Sequence, residues 1–185
     1  MDVSALRHLF YAESFLLRYP DAAWRGQASE VIAALQGMKT AELAQTLAAA
    51  AEQLLASRAA DDLEKLYVET FDFGKQTNLY LTYAEFGETK ERGAALLGLQ
   101  QQYEEAGFVL KGGELPDYLP VMLEFAAMAD AEACARVFAP LLPALREILR
   151  GLAAGNSPYC AIFRAIVATV GQMALANEPI GGVCP

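Results

Sequence analysis

The chain has 185 residues, with 14 basic and 23 acidic side chains and a formal net charge of −9. A nucleic-acid partner bound through net charge is excluded, because neutralising phosphates requires a basic surface and this chain repels a polyanion. Hydrophobic residues make up 55% of the chain, above the usual range of roughly 45–50%, so a large core can form and intrinsic disorder is excluded. No stretch of about 18 uncharged apolar residues occurs, so no integral membrane segment is expected.

The N-terminus and the cysteines indicate a cytoplasmic protein. The N-terminus lacks the basic and apolar regions of a secretory signal. The three cysteines, Cys134, Cys160 and Cys184, have long and irregular spacing, which predicts neither a disulfide framework nor a metal site. His8 is the one histidine, and its place in an amphipathic helix favours a structural role. We therefore expect no bound metal, no cofactor and no catalytic site.

Strong helix formers fill the chain, and the strand-like alternation of polar and apolar residues is almost absent. In chain order, apolar spacing and capping residues predict helices from Ser4 to Tyr19, Ser29 to Leu35, Thr40 to Leu55 and Asp61 to Phe71. Further helices are predicted from Glu88 or Thr89 to Ala106, from the Glu114–Pro120 block onward, from Asp130 to Leu152 with a kink or break at Pro140 and Pro143, and from residues 156–158 to about Leu175. We expect an all-α fold, a single-domain bundle of eight or nine helices over residues 1–176, with a frayed tail over 177–185.

Two segments interleave carboxylates with aromatic residues, unlike the rest of the chain. The first covers residues 67–73 and continues to residue 88, and the second covers residues 114–125. Exposed aromatic rings beside acids suit an amphipathic peptide that has apolar anchors and a basic end. The alternative, which composition alone favours, is that the rings belong to the core and the acids form a solvated helix face.

A catalytic alternative rests on Asp61, Asp62 and Glu64, which faintly resemble the aspartate-rich magnesium motif of helical prenyl-transfer enzymes. A second acidic cluster and basic diphosphate ligands are missing, and acids at a helix N-terminus ordinarily compensate the helix dipole. No glycine-rich phosphate loop follows a strand. A small-ligand or diphosphate-processing helical enzyme therefore stays as the alternative of a different class.

Four blocks of sequence, at residues 67–72, 86–93, 114–125 and 157–159, resemble a known family. They are similar to the NarJ-type nitrate reductase assembly chaperones, which belong with TorD and DmsD among the redox-enzyme maturation proteins. The match runs in register from about Leu6 to Val170.

The resemblance implies an all-helical, cytoplasmic chaperone without enzymatic activity. Such chaperones bind the N-terminal, twin-arginine-like segment of the apo catalytic subunit, hold that subunit back from the membrane and permit insertion of the molybdenum cofactor. A chaperone for a dimethyl sulfoxide or trimethylamine oxide reductase stays as the alternative within the family. We expect a monomer or a weak dimer.

The resemblance also predicts the peptide-binding residues. It places the family's recognition aspartate at Asp117, followed by Tyr118 where the family often has histidine. The net charge of −9 is expected to steer a basic leader toward the chaperone. A groove for the leader's apolar face is expected to have a floor of Tyr67, Phe71, Leu119 and Leu123. The whole predicted site consists of Tyr67, Phe71, Asp72, Glu85, Glu88, Arg92, Glu114, Pro116, Asp117, Tyr118, Leu119, Leu123 and Glu124.

Two roles are open for Arg92. It can pair with Glu88 one turn away in its own helix, a contact worth about 0.2–0.5 kcal/mol. It can instead orient Glu88 or Asp117 from the long helix. A carboxylate close to Arg92 outside its own helix would favour the orienting role.

Overall fold

The computed structural model describes residues 3–38, 42–56, 60–74 and 76–176. Within these ranges every regular element is a helix, apart from one isolated antiparallel β-bridge between Tyr80 and Tyr118. Nine described helices have eight residues or more, and a tenth is a four-residue turn. This confirms the expected all-α fold. None of the described helices is long and apolar enough to cross a membrane.

The longest connections between the helices precede those that begin at Tyr83 and Leu119. In chain order they are α1 (Val3–Leu16), α2 (Ala22–Gly37), α3 (Glu42–Ala56), α4 (Ala60–Tyr67), α5 (Tyr83–Phe86), α6 (Lys90–Glu105), α7 (Leu119–Met128), α8 (Ala131–Phe138), α9 (Leu142–Ala154) and α10 (Cys160–Ala176). A π-helical turn, Val68–Asp72, continues α4, and a 3-10 turn, Ala139–Leu141, joins α8 to α9.

Helix α2 begins at Ala22 rather than at Ser29, where the apolar spacing predicts it. Asp21 caps this helix, since its Oδ1 accepts a hydrogen bond from the Trp24 N–H at 2.8 Å. The Trp24 indole is buried, stacks on Phe15 with ring centroids 5.5 Å apart, and donates to the Phe15 carbonyl at 2.8 Å. A cap and a tertiary contact therefore fix this helix start.

Two predicted helix boundaries that depend on proline or glycine are confirmed. Pro140 and Pro143 fall at the 3-10 turn and the start of α9, where the predicted break lies. Gly107 follows α6 with φ +84°, the left-handed conformation that glycine adopts without strain. The predicted cap at Thr40 and the tail over 177–185 lie outside the described residues.

Helix α1 lies at the centre of the bundle and contacts α2, α7 and α10. Arg7 donates to the Ala129 carbonyl at 3.1 Å, and Ser14 donates to the Pro120 carbonyl at 2.8 Å. Since the later residue of α1 meets the earlier residue of this pair, α1 and α7 run in opposite directions. The packing of α7 on α1 determines which side chains of α7 are buried and which are exposed to solvent.

The histidine and the described cysteines have ordinary structural surroundings. His8 is exposed, and its Nδ1 lies 2.7 Å from the Ser4 carbonyl oxygen. Cys134 is buried, and burial raises the pKa of its thiol to about 12. Cys160 is half-buried. A thiol with so high a pKa stays protonated and unreactive at neutral pH.

Candidate functional site

A cleft of about 220 Å³ opens where the end of α4 meets residues 78–80 and the segment before α7. It is lined by Tyr19, Tyr67, Phe71, Asp72, Asn78, Leu79, Tyr80, Glu114 and Tyr118. Four of these nine residues are tyrosines, so we call it the tyrosine cleft. Aromatic rings and two carboxylates therefore share one concave surface.

Five of the predicted site residues line the tyrosine cleft: Tyr67, Phe71, Asp72, Glu114 and Tyr118. Asp72 and Glu114 are exposed, Tyr118 is half-buried, and Tyr67 and Phe71 are nearly enclosed. The rings thus form the inner part of the cleft and the carboxylates its solvent side. Phe71 and Asp72 sit on the π-helical turn, a rare element that often occurs at functional sites.

The inner part of the cleft is a packed aromatic cluster. The Phe71 ring lies 5.0 Å from that of Tyr67 and 4.8 Å from that of Tyr159, both edge to face. The Tyr67 hydroxyl donates to the Leu17 carbonyl at 2.9 Å and lies 3.3 Å from the Tyr118 hydroxyl. Burial raises the pKa of Tyr67 and Tyr159 above the usual range, so both hydroxyls stay protonated at neutral pH.

One wall of the cleft is a short segment, residues 79–82, which we call the strap. Its main chain pairs with the segment that leads into α7. The Leu81 N–H donates to the Asp117 carbonyl at 3.0 Å, and the Leu119 N–H donates to the Leu79 carbonyl at 2.9 Å. These two bonds frame the Tyr80–Tyr118 bridge. Backbone pairing between distant segments therefore places this wall.

The rings of the strap and its partner segment face each other. The Tyr80 and Tyr118 ring centroids are 5.1 Å apart, and the Tyr80 hydroxyl donates to Glu114 Oε2 at 3.1 Å. Burial, followed by the hydrogen bond to Glu114, raises the pKa of Tyr80 to about 12. Tyr80 therefore remains a neutral donor that holds the Glu114 carboxylate at the cleft.

Asp117 does not line the tyrosine cleft. Its side chain has no exposed surface. Its Oδ2 accepts from the Thr82 N–H at 3.2 Å, from the Thr82 hydroxyl at 2.5 Å and from Arg92 Nη2 at 3.3 Å. Its Oδ1 is buried without a hydrogen-bond partner. This corrects the expectation of a direct contact with a leader, because the carboxylate is enclosed and already paired.

Arg92 takes the orienting role. Its guanidinium forms the ion pair with Asp117, its side chain is only 17% exposed, and its Nε donates to the Thr82 hydroxyl at 3.2 Å. The guanidinium carbon also lies 5.9 Å from the Tyr80 ring centroid and 5.4 Å from that of Tyr83, within the range of a cation–π contact. The carboxylate that it meets lies outside its own helix.

Leu119, Leu123 and Pro116 belong to the core. Leu119 and Leu123 have no exposed surface, since α7 packs lengthwise on α1. Pro116 is buried too, and its carbonyl accepts a hydrogen bond from the Tyr103 hydroxyl at 2.7 Å. The predicted groove floor is therefore wrong at Leu119 and Leu123, because helix packing turned these leucines inward.

The remaining predicted glutamates lie outside the tyrosine cleft. Glu124 pairs with Arg18. Glu85 and Glu88 are exposed, and within the described residues no ion pair joins Glu88 to Arg92. These two glutamates add negative charge near α6 without touching the cleft.

A second depression, also of about 220 Å³, lies along α7, and we call it the α7 groove. It is lined by Tyr103, Phe108, Val109, Leu110, Lys111, Glu114, Val121, Glu124, Phe125 and Met128. Val109 and Met128 are 75% and 58% exposed, so the α7 groove presents apolar side chains to solvent. Glu114 borders both depressions, so the α7 groove adjoins the tyrosine cleft.

A wider depression of about 760 Å³ lies between α1, α2 and the end of α7. Its lining is mostly apolar and includes Tyr11, Val31 and Met128. None of the predicted site residues borders it. Met128 also belongs to the α7 groove, so the two depressions adjoin at this side chain.

Four residues that line the tyrosine cleft are absent from the predicted site: Tyr19, Asn78, Leu79 and Tyr80. Tyr80 lies within the aromatic segment, so its residue type was a usable signal. Tyr19 stands at the end of the first helical pattern, which was a weaker sequence signal. In the structure its side chain is 44% exposed. Asn78, Leu79 and Thr82 carry no pattern in the sequence, because the hydrogen bonds that bring the strap to this place join segments far apart in the chain.

The described residues of the acidic cluster do not support the catalytic alternative. Glu64 accepts a hydrogen bond from the Tyr19 hydroxyl at 2.9 Å, and Asp62 is exposed. The side chain of Asp61 lies outside the described residues. Across the described part of the chain, no group of three or more His, Cys, Asp or Glu residues is arranged to hold a metal ion.

The helical architecture is that of a known fold. A crystal structure from Archaeoglobus fulgidus, of a protein assigned as a redox enzyme maturation protein, matches with a TM-score of 0.64 and 22% identity. The match covers 89% of this chain and 93% of that one. At this identity the likeness shows the fold alone.

Sequence comparison gives the family. The model of the nitrate reductase delta subunit family matches residues 36–164, and the chain belongs to this family. It is 40% identical over 183 residues, 99% of both chains, to a Bacillus subtilis (strain 168) protein named as a nitrate reductase molybdenum cofactor assembly chaperone, NarJ. It is 35% identical to the Escherichia coli (strain K12) chaperone of that name, over 81% of this chain and 64% of that one.

Proposed function

We propose that this protein is a cytoplasmic assembly chaperone of a respiratory nitrate reductase. It binds the N-terminal, leader-like segment of the apo catalytic subunit and assists insertion of the molybdenum cofactor. Family membership supports this function, as does similarity along the whole chain to a relative named for it. Because these relatives are assembly chaperones, the protein acts as a binding module and not as an enzyme. Both of these relatives are named for nitrate reductase, which favours it over a dimethyl sulfoxide or trimethylamine oxide reductase as the client.

The observation that carries the proposal at the residue level is the composition of the tyrosine cleft. The carboxylates of Asp72 and Glu114 stand beside the rings of Tyr80 and Tyr118. A guanidinium group pairs with carboxylates and also stacks on aromatic faces. The tyrosine cleft therefore suits an arginine of a twin-arginine-like leader.

The apolar face of the leader has a place beside that arginine. The α7 groove adjoins the tyrosine cleft at Glu114 and presents the exposed side chains of Val109 and Met128. An amphipathic helix binds in such a groove through apolar anchors. The net charge of −9 raises the rate at which a basic segment arrives. Affinity is then expected to have a salt-sensitive part and a salt-insensitive part.

Coexpression tests the proposed client. The chain is produced with the apo catalytic subunit of a respiratory nitrate reductase, either complete or without its N-terminal segment, and retained partners are measured by pull-down. The complete subunit is expected to be retained and the truncated one lost. A matched apo dimethyl sulfoxide reductase serves as the control for client choice. Retention of neither nitrate reductase form, or equal retention of both, contradicts the proposal.

A further inference from the structure

Three polar side chains, those of Thr82, Arg92 and Asp117, meet behind the tyrosine cleft, and none of them lines it. We propose that this triad positions the rings of Tyr80 and Tyr118 for the ligand. Asp117 then governs recognition of a basic leader without touching it. This inference rests on the proposed function of the cleft.

The hydrogen bonds of Asp117 fix the strap at two levels. Its side-chain Oδ2 accepts from both the N–H and the hydroxyl of Thr82. Its main-chain carbonyl accepts from the Leu81 N–H. Both ends of the strap are thus tied to the segment before α7, since the Leu119 N–H also donates to Leu79. Tyr80 lies between these ties, so its ring position depends on them.

Arg92 links this arrangement to α6. It is held by Asp117 at 3.3 Å and by the Thr82 hydroxyl at 3.2 Å, and its guanidinium lies against the Tyr80 ring. Arg92 itself does not border the cleft. A change at Arg92 therefore reaches a ligand in the cleft only indirectly, through the residues that Arg92 contacts or through its electric field.

Loss of the Arg92 charge and loss of ring positioning are expected to change peptide affinity in opposite directions. Substitution of Arg92 therefore distinguishes the two effects. Neutralising a cation beside an acidic site strengthens the attraction for a basic peptide. Loss of ring positioning weakens binding. Arg136 provides the matched control, because it has the same charge, is 51% exposed and pairs with Glu132 on α8.

The first measurement compares Arg92→Met, Arg92→Lys and Arg136→Met by calorimetry. The probe is a synthetic amphipathic peptide of about 15 residues, long enough for a helix, with two arginines at one end and leucines on one face. Arg92→Met is expected to weaken binding roughly ten-fold, a coupling of ordinary size for contacting residues. Arg92→Lys should fall between it and the unchanged protein, and Arg136→Met should bind as tightly or slightly more tightly. If Arg92→Met follows Arg136→Met, the positioning role is refuted.

A double-mutant cycle separates an indirect role of Asp117 from a direct one. Asp117→Asn is expected to weaken peptide binding in the unchanged protein but to add little in the Arg92→Met background, because both substitutions release the same rings. Equal losses in the two backgrounds would mean that Asp117 contacts the peptide, and would overturn the inference.

Thr82 gives a pair of variants that leaves both charges in place. Thr82→Ser keeps the hydroxyl and is expected to bind like the unchanged protein, whereas Thr82→Val removes it at nearly constant volume and should weaken binding. If Thr82→Val binds as well as Thr82→Ser, the triad does not position the cleft. This pair also decides the matter if Arg92→Met fails to fold.

The positioning role has a readout in the protein without peptide. With fluorotyrosine incorporated, the 19F signals of Tyr80 and Tyr118 should shift in Thr82→Val, while that of Tyr11 on α1 should not. Unshifted signals refute the positioning role. If the signals shift but the unchanged protein does not bind the peptide, the proposed function fails and the positioning role stands.

Discussion

Glu13 of α1 and Thr169 of α10 meet in the interior, where the Thr169 hydroxyl and Glu13 Oε1 are 2.6 Å apart and neither residue is exposed. The same hydroxyl lies 3.0 Å from the Ala165 carbonyl. A hydroxyl has one proton, so both contacts are satisfied when the Glu13 carboxyl is protonated and donates to Thr169. Burial raises the pKa of Glu13 from 4.5 to about 8, in agreement with a neutral carboxyl.

This buried carboxyl predicts a stability that falls as pH rises. Above pH 4.5 the unfolded chain releases the Glu13 proton, whereas the folded protein keeps it until about pH 8, so the unfolded state gains stability between these values. Glu13→Gln keeps a neutral group there and removes this effect. Its free energy of unfolding should match that of the unchanged protein below pH 4.5 and exceed it by on the order of 4 kcal/mol near pH 8.

Urea unfolding followed by the fluorescence of Trp24 measures this difference across the pH range. Glu132→Gln, at an exposed pair with Arg136, is the control and should show no such trend. A difference between Glu13→Gln and the unchanged protein that does not vary with pH would contradict a neutral Glu13.

Glu114 is expected to contribute a salt-dependent part of the peptide affinity. Glu114→Gln removes an exposed carboxylate from the tyrosine cleft, and an exposed ion pair is worth about 0.2–1 kcal/mol. We expect the arginine peptide to bind about 1.4- to 5-fold more weakly, with a smaller loss of affinity on adding salt. Calorimetry at two salt concentrations checks this, with Glu52→Gln on α3 as the distant control. Equal salt dependence in Glu114→Gln and Glu52→Gln would remove Glu114 from the site.

Substitution of the buried Leu123 is expected to lower the stability of the protein without changing its affinity for the peptide. Leu123→Ala opens a cavity in a position without exposed surface, and such substitutions destabilise by about 2–5 kcal/mol. Peptide affinity should stay unchanged at a temperature where the variant is fully folded. Leu97→Ala, at an exposed position of α6, should change the free energy of unfolding by less than about 0.5 kcal/mol. A loss of affinity in Leu123→Ala without a loss of stability would return Leu123 to the groove floor.

Asp117→Asn is expected to lower the free energy of unfolding and also to weaken peptide binding. It leaves the Arg92 guanidinium, in a side chain only 17% exposed, without its counter-charge, and breaking a buried pair in this way costs about 3–5 kcal/mol. Chemical unfolding measures the loss, and Glu147→Gln, at an exposed pair with Arg150, should lose little. Weaker peptide binding at unchanged stability, as expected of an exposed recognition aspartate, would contradict the enclosed Asp117.

Much of the helical framework was predictable because local rules determine it. The break at Pro140 and the end of α6 at Gly107 follow from backbone chemistry that neighbouring residues cannot override. The start of α2 was missed although its cap, Asp21, is a local signal, because the burial of Trp24 depends on Phe15 from another helix. Apolar spacing indicates which face of a helix is buried, but not which other helix packs against that face.

The sequence predicted part of the candidate site through the family resemblance. Composition alone favoured core rings and a solvated acidic face for the two segments, the resemblance predicted a peptide-binding surface, and the structure brings Asp72 and Glu114 to one cleft. Residue type did not indicate the strap, whose place depends on main-chain pairing and on the contact of Thr82 with Asp117, both between distant segments. It also did not separate Leu119 of the core from the apolar side chains that stay exposed.

By itself, the sequence determined an all-helical, acidic protein whose aromatic and acidic blocks stand apart from ordinary helix faces. Only the tertiary structure decided what each acid does. Glu114 and Asp117 lie three positions apart, yet the first is exposed at the cleft and the second is enclosed and paired with Arg92. The reason is that a carboxylate is stable in the interior only where a distant segment brings it a counter-charge as well as donors. The strap donates to both carboxylates, but α6 brings the Arg92 counter-charge to Asp117 alone of these two.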